Sequence, residues 1–244
     1  MKILIPPSEG KAKVQPSEVL FKDTNFKFAE YTQQIVDYLG LIEMEDLTSV
    51  YGTSQEKAIM FHRQNQDVFN SKCVQAIERY TGVVYNHINW ATLNKKSKTY
   101  MNDHIIIFSG LFGLLTPETL IPDYKLKMNV LSLKRLWGPI ITEYLSKEEL
   151  IFDLLPQVHR KAYKKGDNVI TIDFQVVKKG KKSASEDYKS WLEAVLEVRG
   201  VKKKVDEEED DQPKKSKTET GKQPDKVEIN PDVDEGHYGK KKKK

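Results

Sequence analysis

Cysteine is almost missing from this chain. Cys73 is the only one in 244 residues, so no intrachain disulfide can form and no thiolate zinc site can be built. Long apolar runs are missing too: the densest, Ile105 to Leu115, is 11 residues broken by Ser109, Gly110 and Gly113, about half a membrane span. The apolar run before Pro6 and Pro7 is only Ile3-Leu4-Ile5, too short for the apolar part of a secretion signal. These absences exclude transmembrane, secreted and disulfide-scaffold classes, and the expectation is a cytoplasmic protein without membrane contact. The sequence also has no internal repeat, no glycine-rich phosphate loop and no Gly-x-Ser-x-Gly elbow. His62, His87, His104, His159 and His237 show no metal-ligand spacing, so neither a metal nor a cofactor is expected.

Hydrophobic residues make up 38%, low for a compact domain of this length. The C-terminal end accounts for it. Residues 206–244 hold 12 acidic and 10 basic side chains, with Val227, Ile229, Val233 and Tyr238 as apolar ones. Such a segment cannot bury enough apolar surface to offset its ordering entropy, so the reading is a domain over 1–205 and a disordered charged tail over 206–244. Charge is uneven within the domain. Residues 1–155 carry 17 basic and 18 acidic groups, whereas 156–205 carry 13 and 6, a net +7 stretch that favours an anionic partner.

Lys2–Ile5 is a short apolar run closed by Pro6-Pro7, the pattern of a buried strand. Phe28, Ile35, Val36 and Leu39 share one helical face between Thr24 and Gly40. Leu41–Val50 predicts another helix, and Thr53-x-x-Glu56 is a capping box opening a third through about Asn65. Ser71 caps a fourth over Lys72–Tyr80. Strands are expected at Val83–Tyr85, Ile105–Phe108, Tyr124–Leu131, Leu150–Leu154 and Val169–Phe174, and helices near Ser97–Asp103, at Leu133–Leu145 despite Pro139, and at Ser185–Val198. Interleaved strands and helices of this kind argue for a mixed α/β fold, a central mixed sheet covered by helices.

Three groups of residues could carry chemistry. Leu41–Asn65 reads as a helix-hairpin-helix element, in which Gly52, Thr53 and Ser54 would donate to a DNA phosphate at a helix N-terminus and Lys57 would add charge. An ordinary helical hairpin packed on the sheet is the alternative. Tyr85 and Ser109 lie at the carboxyl ends of expected strands, where open α/β sheets bind ligands, so Ser8, Lys11, Tyr85, Ser109, Lys125 and Trp137 could converge on a polar pocket for a small anionic ligand. Core packing is the alternative for Tyr85 and Trp137. Finally, Arg160, Lys161, Lys164 and Lys165, with Lys178, Lys179, Lys181 and Lys182 about a glycine-broken turn, supply most of the +7 and suit phosphates without reading sequence.

Four stretches in order are more specific than any alone: Lys2–Lys11; Gly82–Tyr85; Phe108–Pro117 running on to Ile121–Met128; and Leu136–Thr142 with its Trp-Gly-Pro. Together they resemble the YaaA family of peroxide-stress proteins. The resemblance covers roughly residues 1–200. It implies a mixed α/β fold with a positively charged cleft, binding of double-stranded DNA in at least some members, and a role in limiting free iron and oxidative damage under hydrogen peroxide; the basic stretch adds the expectation that such binding is non-specific. Where the family tends to have Tyr-Arg-Leu-Glu-Met, this chain has Tyr124-Lys-Leu-Lys-Met128, an acid replaced by a base. Where it commonly carries Ala-Lys-x-x-Arg-Gly on its last helix, this chain keeps Lys189 but has Leu192 about where the arginine would be. Two further readings stand beside DNA binding: an enzyme or binder of a nucleotide-like or carboxylated metabolite in the polar pocket, and a scaffold acting through the charged tail.

Overall fold

The computed structural model describes residues 1–173 and the backbone of 175–178 and 181–184. Its helices are α1 (Ala29–Leu39), α2 (Leu47–Tyr51), α3 (Gln55–Gln66), α4 (Ala76–Arg79), α5 (Val83–Ile88), α6 (Lys95–His104), α7 (Leu133–Ser146) and α8 (Gln157–Arg160). The strands are β1 (Lys2–Ile5), β2 (Val74–Gln75), β3 (Ile105–Ser109), β4 (Gly113–Leu115), β5 (Leu120–Ile121), β6 (Ile151–Asp153), β7 (Val169–Thr171), β8 (Gln175–Lys178) and β9 (Lys181–Ala184). The expected mixed α/β architecture is found. Lys178, Lys181 and Lys182 lie on the β8–β9 hairpin backbone, while Lys179, Lys189, the helix expected at 185–198 and the 206–244 tail lie outside the described residues.

The main sheet runs β4-β3-β1-β6-β7. β1 is parallel to β3 (Ile3 opposite Ile105) and to β6 (Leu4 opposite Asp153), β6 is parallel to β7, and only β4 is antiparallel. Ile3, Leu4 and Ile5 are wholly buried, as a parallel strand covered on both faces requires. Each contributes roughly 1.5–3 kcal/mol of burial. α7 runs through Pro139 as expected, and α6 starts at Asn94, whose side chain accepts from the Ser97 amide at 2.9 Å.

Some expectations fail for local reasons. Val83–Tyr85 is not a strand but the first half of α5. The inward residues there are Tyr85 and Ile88, a spacing of three, and three β-type residues are too few to outweigh it. Tyr124–Leu131 does alternate, with Tyr124, Leu126 and Met128 buried, yet it joins no sheet. It crosses Gly110 instead, where a Cβ would stand 2.6 Å from the Leu126 carbonyl oxygen and 2.9 Å from the Met128 nitrogen. Of Lys72–Tyr80 only α4 is helical, because Val74 and Gln75 pair with Ile121 and Leu120. The Thr53 capping box does not form: Ser54 is the N-cap of α3, and its side chain makes no capping bond.

Arg160, expected to face an anionic partner, is turned inward. Its side chain is 13% exposed and pairs with Asp153 (Nε to Oδ2, 3.4 Å) and Asp173, and it donates to the Ile172 carbonyl at 2.9 Å. Asp153 is buried at the end of β6, where its carboxylate also accepts from the Tyr163 hydroxyl at 2.6 Å and the Leu155 amide at 2.7 Å. Removing the cation strands a buried charge. Arg160→Ala should therefore destabilise the fold by about 3–5 kcal/mol in urea unfolding, and a loss below 1 kcal/mol would contradict this role.

Candidate anion-binding cleft

Sheet order fixes where a cleft can open. From β1 the chain moves to β3 on one side and later crosses to β6 on the other, so the loops after β1 and β6 diverge at their carboxyl ends. Pro6 and Pro7 end β1 and turn the chain into Ser8–Lys11, while β6 leads through Leu154–Pro156 into α8. Between them lies a cavity of about 270 Å³. Pro7, Ser8, Glu9, Lys11, Gly110, residues 124–129, Val158 and His159 line it.

Three lysines meet there. Lys127 Nζ stands 2.8 Å and Lys125 Nζ 3.7 Å from the two carboxylate oxygens of Glu9, and the Lys127 hydrogen bond above all holds the Glu9 carboxyl below the usual range. The Glu9 side chain is 70% exposed, so these pairs add little stability. Glu9 occupies a place that an incoming anion would take.

Lys11 lies deeper. Its Nζ donates to the Ser8 carbonyl at 2.8 Å and sits 4.6 Å from the Tyr124 ring centre and 5.0 Å from that of Tyr80. Burial, followed by the neighbouring Lys125 charge, lowers its pKa to about 8, with Asp123 and Glu9 acting the other way. Beneath it, the Tyr124 hydroxyl is 2.6 Å from that of Tyr80 and 2.8 Å from Ser109 Oγ, which accepts from the Phe112 amide at 3.0 Å. Burial pushes Tyr124 up to about 12 and Tyr80 well above its usual value, so both phenols stay neutral.

The six pocket candidates thus divide into two layers. Ser8, Lys11 and Lys125 line the cavity. The other three support it: Ser109 anchors Tyr124, Tyr85 donates to the Pro6 carbonyl at 2.8 Å, and the buried Trp137 donates from Nε1 to the Gly110 carbonyl at 3.0 Å. Nothing in the sequence marks Glu9, Tyr80 and His159 as cleft residues, and Lys127 stands out there only as a departure from the family's pattern. Glu9 and Lys127 sit inside the quoted motifs, but only the fold shows them meeting.

The α2–α3 hairpin is tied to this cleft. Gly52, at φ 63° and ψ 39°, ends α2, and Thr53 and Ser54 lead into α3, where Lys57 is exposed. At the far end of α3, buried Asn65 accepts from the Lys125 amide at 3.0 Å and donates to the Lys125 carbonyl at 2.8 Å. One side-chain amide thereby replaces a missing strand neighbour. Lys161 and Lys164 lie elsewhere, with Lys134 along a shallow depression beside α7, and Lys165 donates to Thr171 Oγ1 at 2.9 Å. A separate cavity of about 440 Å³ on the sheet face is walled largely by apolar groups such as Phe26, Phe28, Leu114 and Tyr144.

Two groups bear on peroxide and pH. Cys73 is buried and its thiol is pushed up to about 11, which disfavours the thiolate that reacts with peroxides. Among the described residues no group of three or more His, Cys, Asp and Glu side chains could hold a metal ion. His159 is packed edge-on to Phe108 with Nδ1 buried and unpartnered, and burial, then the Lys134 charge, lowers its pKa from 6.5 to about 4. The unfolded chain therefore binds the extra proton first, so stability falls as pH drops from about 6.5 and the loss is complete below about 4. In urea titrations across that range, His159→Leu should flatten the slope; an unchanged slope would show that His159 is not its source.

Residues 1–214 match the family described as peroxide stress protein YaaA. An uncharacterized protein of Campylobacter jejuni is 28% identical over 195 residues, covering 74% of this chain and 77% of that protein. A UPF0246 protein of Streptococcus pneumoniae is 30% identical over 174 residues (68% and 69%), and one of Malacoplasma penetrans is 29% identical over 194 residues (74% and 78%). Matched over 1–214, the chain belongs to the YaaA peroxide stress protein family.

Proposed function

We propose that this protein protects against peroxide in the cytoplasm by binding duplex DNA without sequence preference, with the lysine cleft and the α2–α3 hairpin as contacts. The observation that supports this reading is the Asn65–Lys125 clamp, which ties the C-terminal end of α3 to the backbone of the lysine-bearing segment. Lys125 and Lys127 would exchange Glu9 for a backbone phosphate, while the exposed Gly52 turn, Ser54 and Lys57 would meet another. Lys161, Lys164 and Lys165, with Lys178, Lys181 and Lys182 on the β8–β9 backbone, would add basic character beyond the cleft. Neutralising phosphates releases the cations condensed on them, and ferrous iron is such a cation. Protection then follows from displacing iron where hydroxyl radicals would do most harm. It requires no sensor thiol, in keeping with the buried Cys73.

Filter binding of a 20-base-pair duplex over a salt series tests this reading. Affinity should fall steeply with salt, and replacing both Lys125 and Lys127 by Ala should lower the slope of log K against log salt by about 2. Glu9→Gln should strengthen binding several-fold. No binding at low salt, or a slope unmoved by the double substitution, would sink the proposal.

A second reading has its own support. The cavity is too small for a duplex, and Lys11 lies within it rather than on its rim, which suits a small anionic ligand of nucleotide-like or carboxylated type.

A further inference from the structure

Lys11 differs from the other cleft lysines in ways that bear on reactivity. Lys125 and Lys127 both have a carboxylate within 4 Å, and Lys11 has none among the described residues. Its Nζ is held by one carbonyl oxygen and two aromatic faces, and it opens on the same cavity as the lysine pair. A lysine placed thus can shed its proton, and its free amine is a nucleophile toward carbonyl carbon. The neighbouring pair supplies what an amine alone lacks, a fixed hold on an anionic group of the same molecule.

We propose that Lys11 forms an imine with a phosphate-bearing sugar aldehyde whose phosphate displaces Glu9 from Lys125 and Lys127. This deepens the reading of the cavity as a small-anion site and rests on it. The neutral amine adds to the aldehyde carbon, the carbonyl electron pair moves to oxygen, and the nitrogen passes its proton to that oxygen. The carbinolamine takes up one further proton and loses water, leaving a protonated imine; no oxidant or reductant is needed. With a pKa of about 8, roughly a tenth of Lys11 is unprotonated at pH 7, against less than about a thousandth of an ordinary lysine. Two sources carry this chemistry: a free sugar phosphate, and the ring-opened abasic site of damaged DNA.

The test is reductive trapping. The full chain is incubated with sodium cyanoborohydride and either 2-deoxyribose 5-phosphate or a duplex bearing one abasic site, and adducts are mapped by peptide mass spectrometry. The expected result is an adduct on Lys11 at least ten-fold above any other lysine. Its rate should rise from pH 6 and level off above about 8. Lys11→Arg, which keeps the cation and cannot condense, should abolish it. Trapping with one substrate alone identifies the source, and trapping with both supports the shared chemistry. No adduct, adducts spread evenly over exposed lysines, or undiminished trapping in Lys11→Arg would overturn the proposal. Mapping on the unaltered chain decides the matter should the variant fail to fold. Binding of undamaged duplex, measured in parallel, separates this outcome from that of the DNA reading, since either can fail while the other stands.

Discussion

Everything in the described fold hangs on β1. Four residues long, it is the only strand paired to parallel neighbours on both sides that begin more than a hundred residues later, and its carbonyls and amides close the ladders to β3 and β6. It is also where the chain's most buried apolar run meets two prolines. Proline cannot donate to a ladder, so the strand ends at Ile5 and the backbone leaves the sheet at the point where the loops after its neighbours part. Fold and cleft thus have one origin. Behind the lysines, Tyr85 on the Pro6 carbonyl and Trp137 on the Gly110 carbonyl hold the two loop starts and stand outside the cavity lining.

The cleft combines two kinds of positive charge. Lys125 and Lys127 share one exposed partner, Glu9, which suits exchange with outside anions. Lys11 is enclosed and carries no such partner, which suits selective chemistry. The neutral phenols of Tyr80 and Tyr124 beneath it offer aromatic faces without competing charge. A binding surface and a reactive group can therefore share one cavity without one cancelling the other.

Much of this was legible in the sequence because some signals are local. The apolar run of β1, the Ile105–Phe108 strand and the face of α1 are set by residues close in the chain, and all appear. Signals failed where a distant partner decided the outcome. The alternation of Tyr124–Met128 correctly marked which side chains are buried, but whether the segment becomes a strand depends on having a ladder neighbour, and Asn65 and Gly110 take that place. Val83–Tyr85 misled for the opposite reason, since β propensity in three residues is weaker than the packing of Tyr85 and Ile88 on one helical face. Of the site, Ser8, Lys11 and Lys125 were readable as polar residues at strand ends. Glu9 and Lys127 were not, because an ion pair across more than a hundred residues leaves no mark in spacing.

The Asn65 clamp has a consequence for how this site can change over generations. It grips the main chain at Lys125 and ignores what the side chains at 125 and 127 are made of. The segment's shape is therefore insured by a residue outside it, and charge at those two positions can be rewritten at little cost to folding. An acid in place of Lys127 would leave the same scaffold presenting a different electrostatic face.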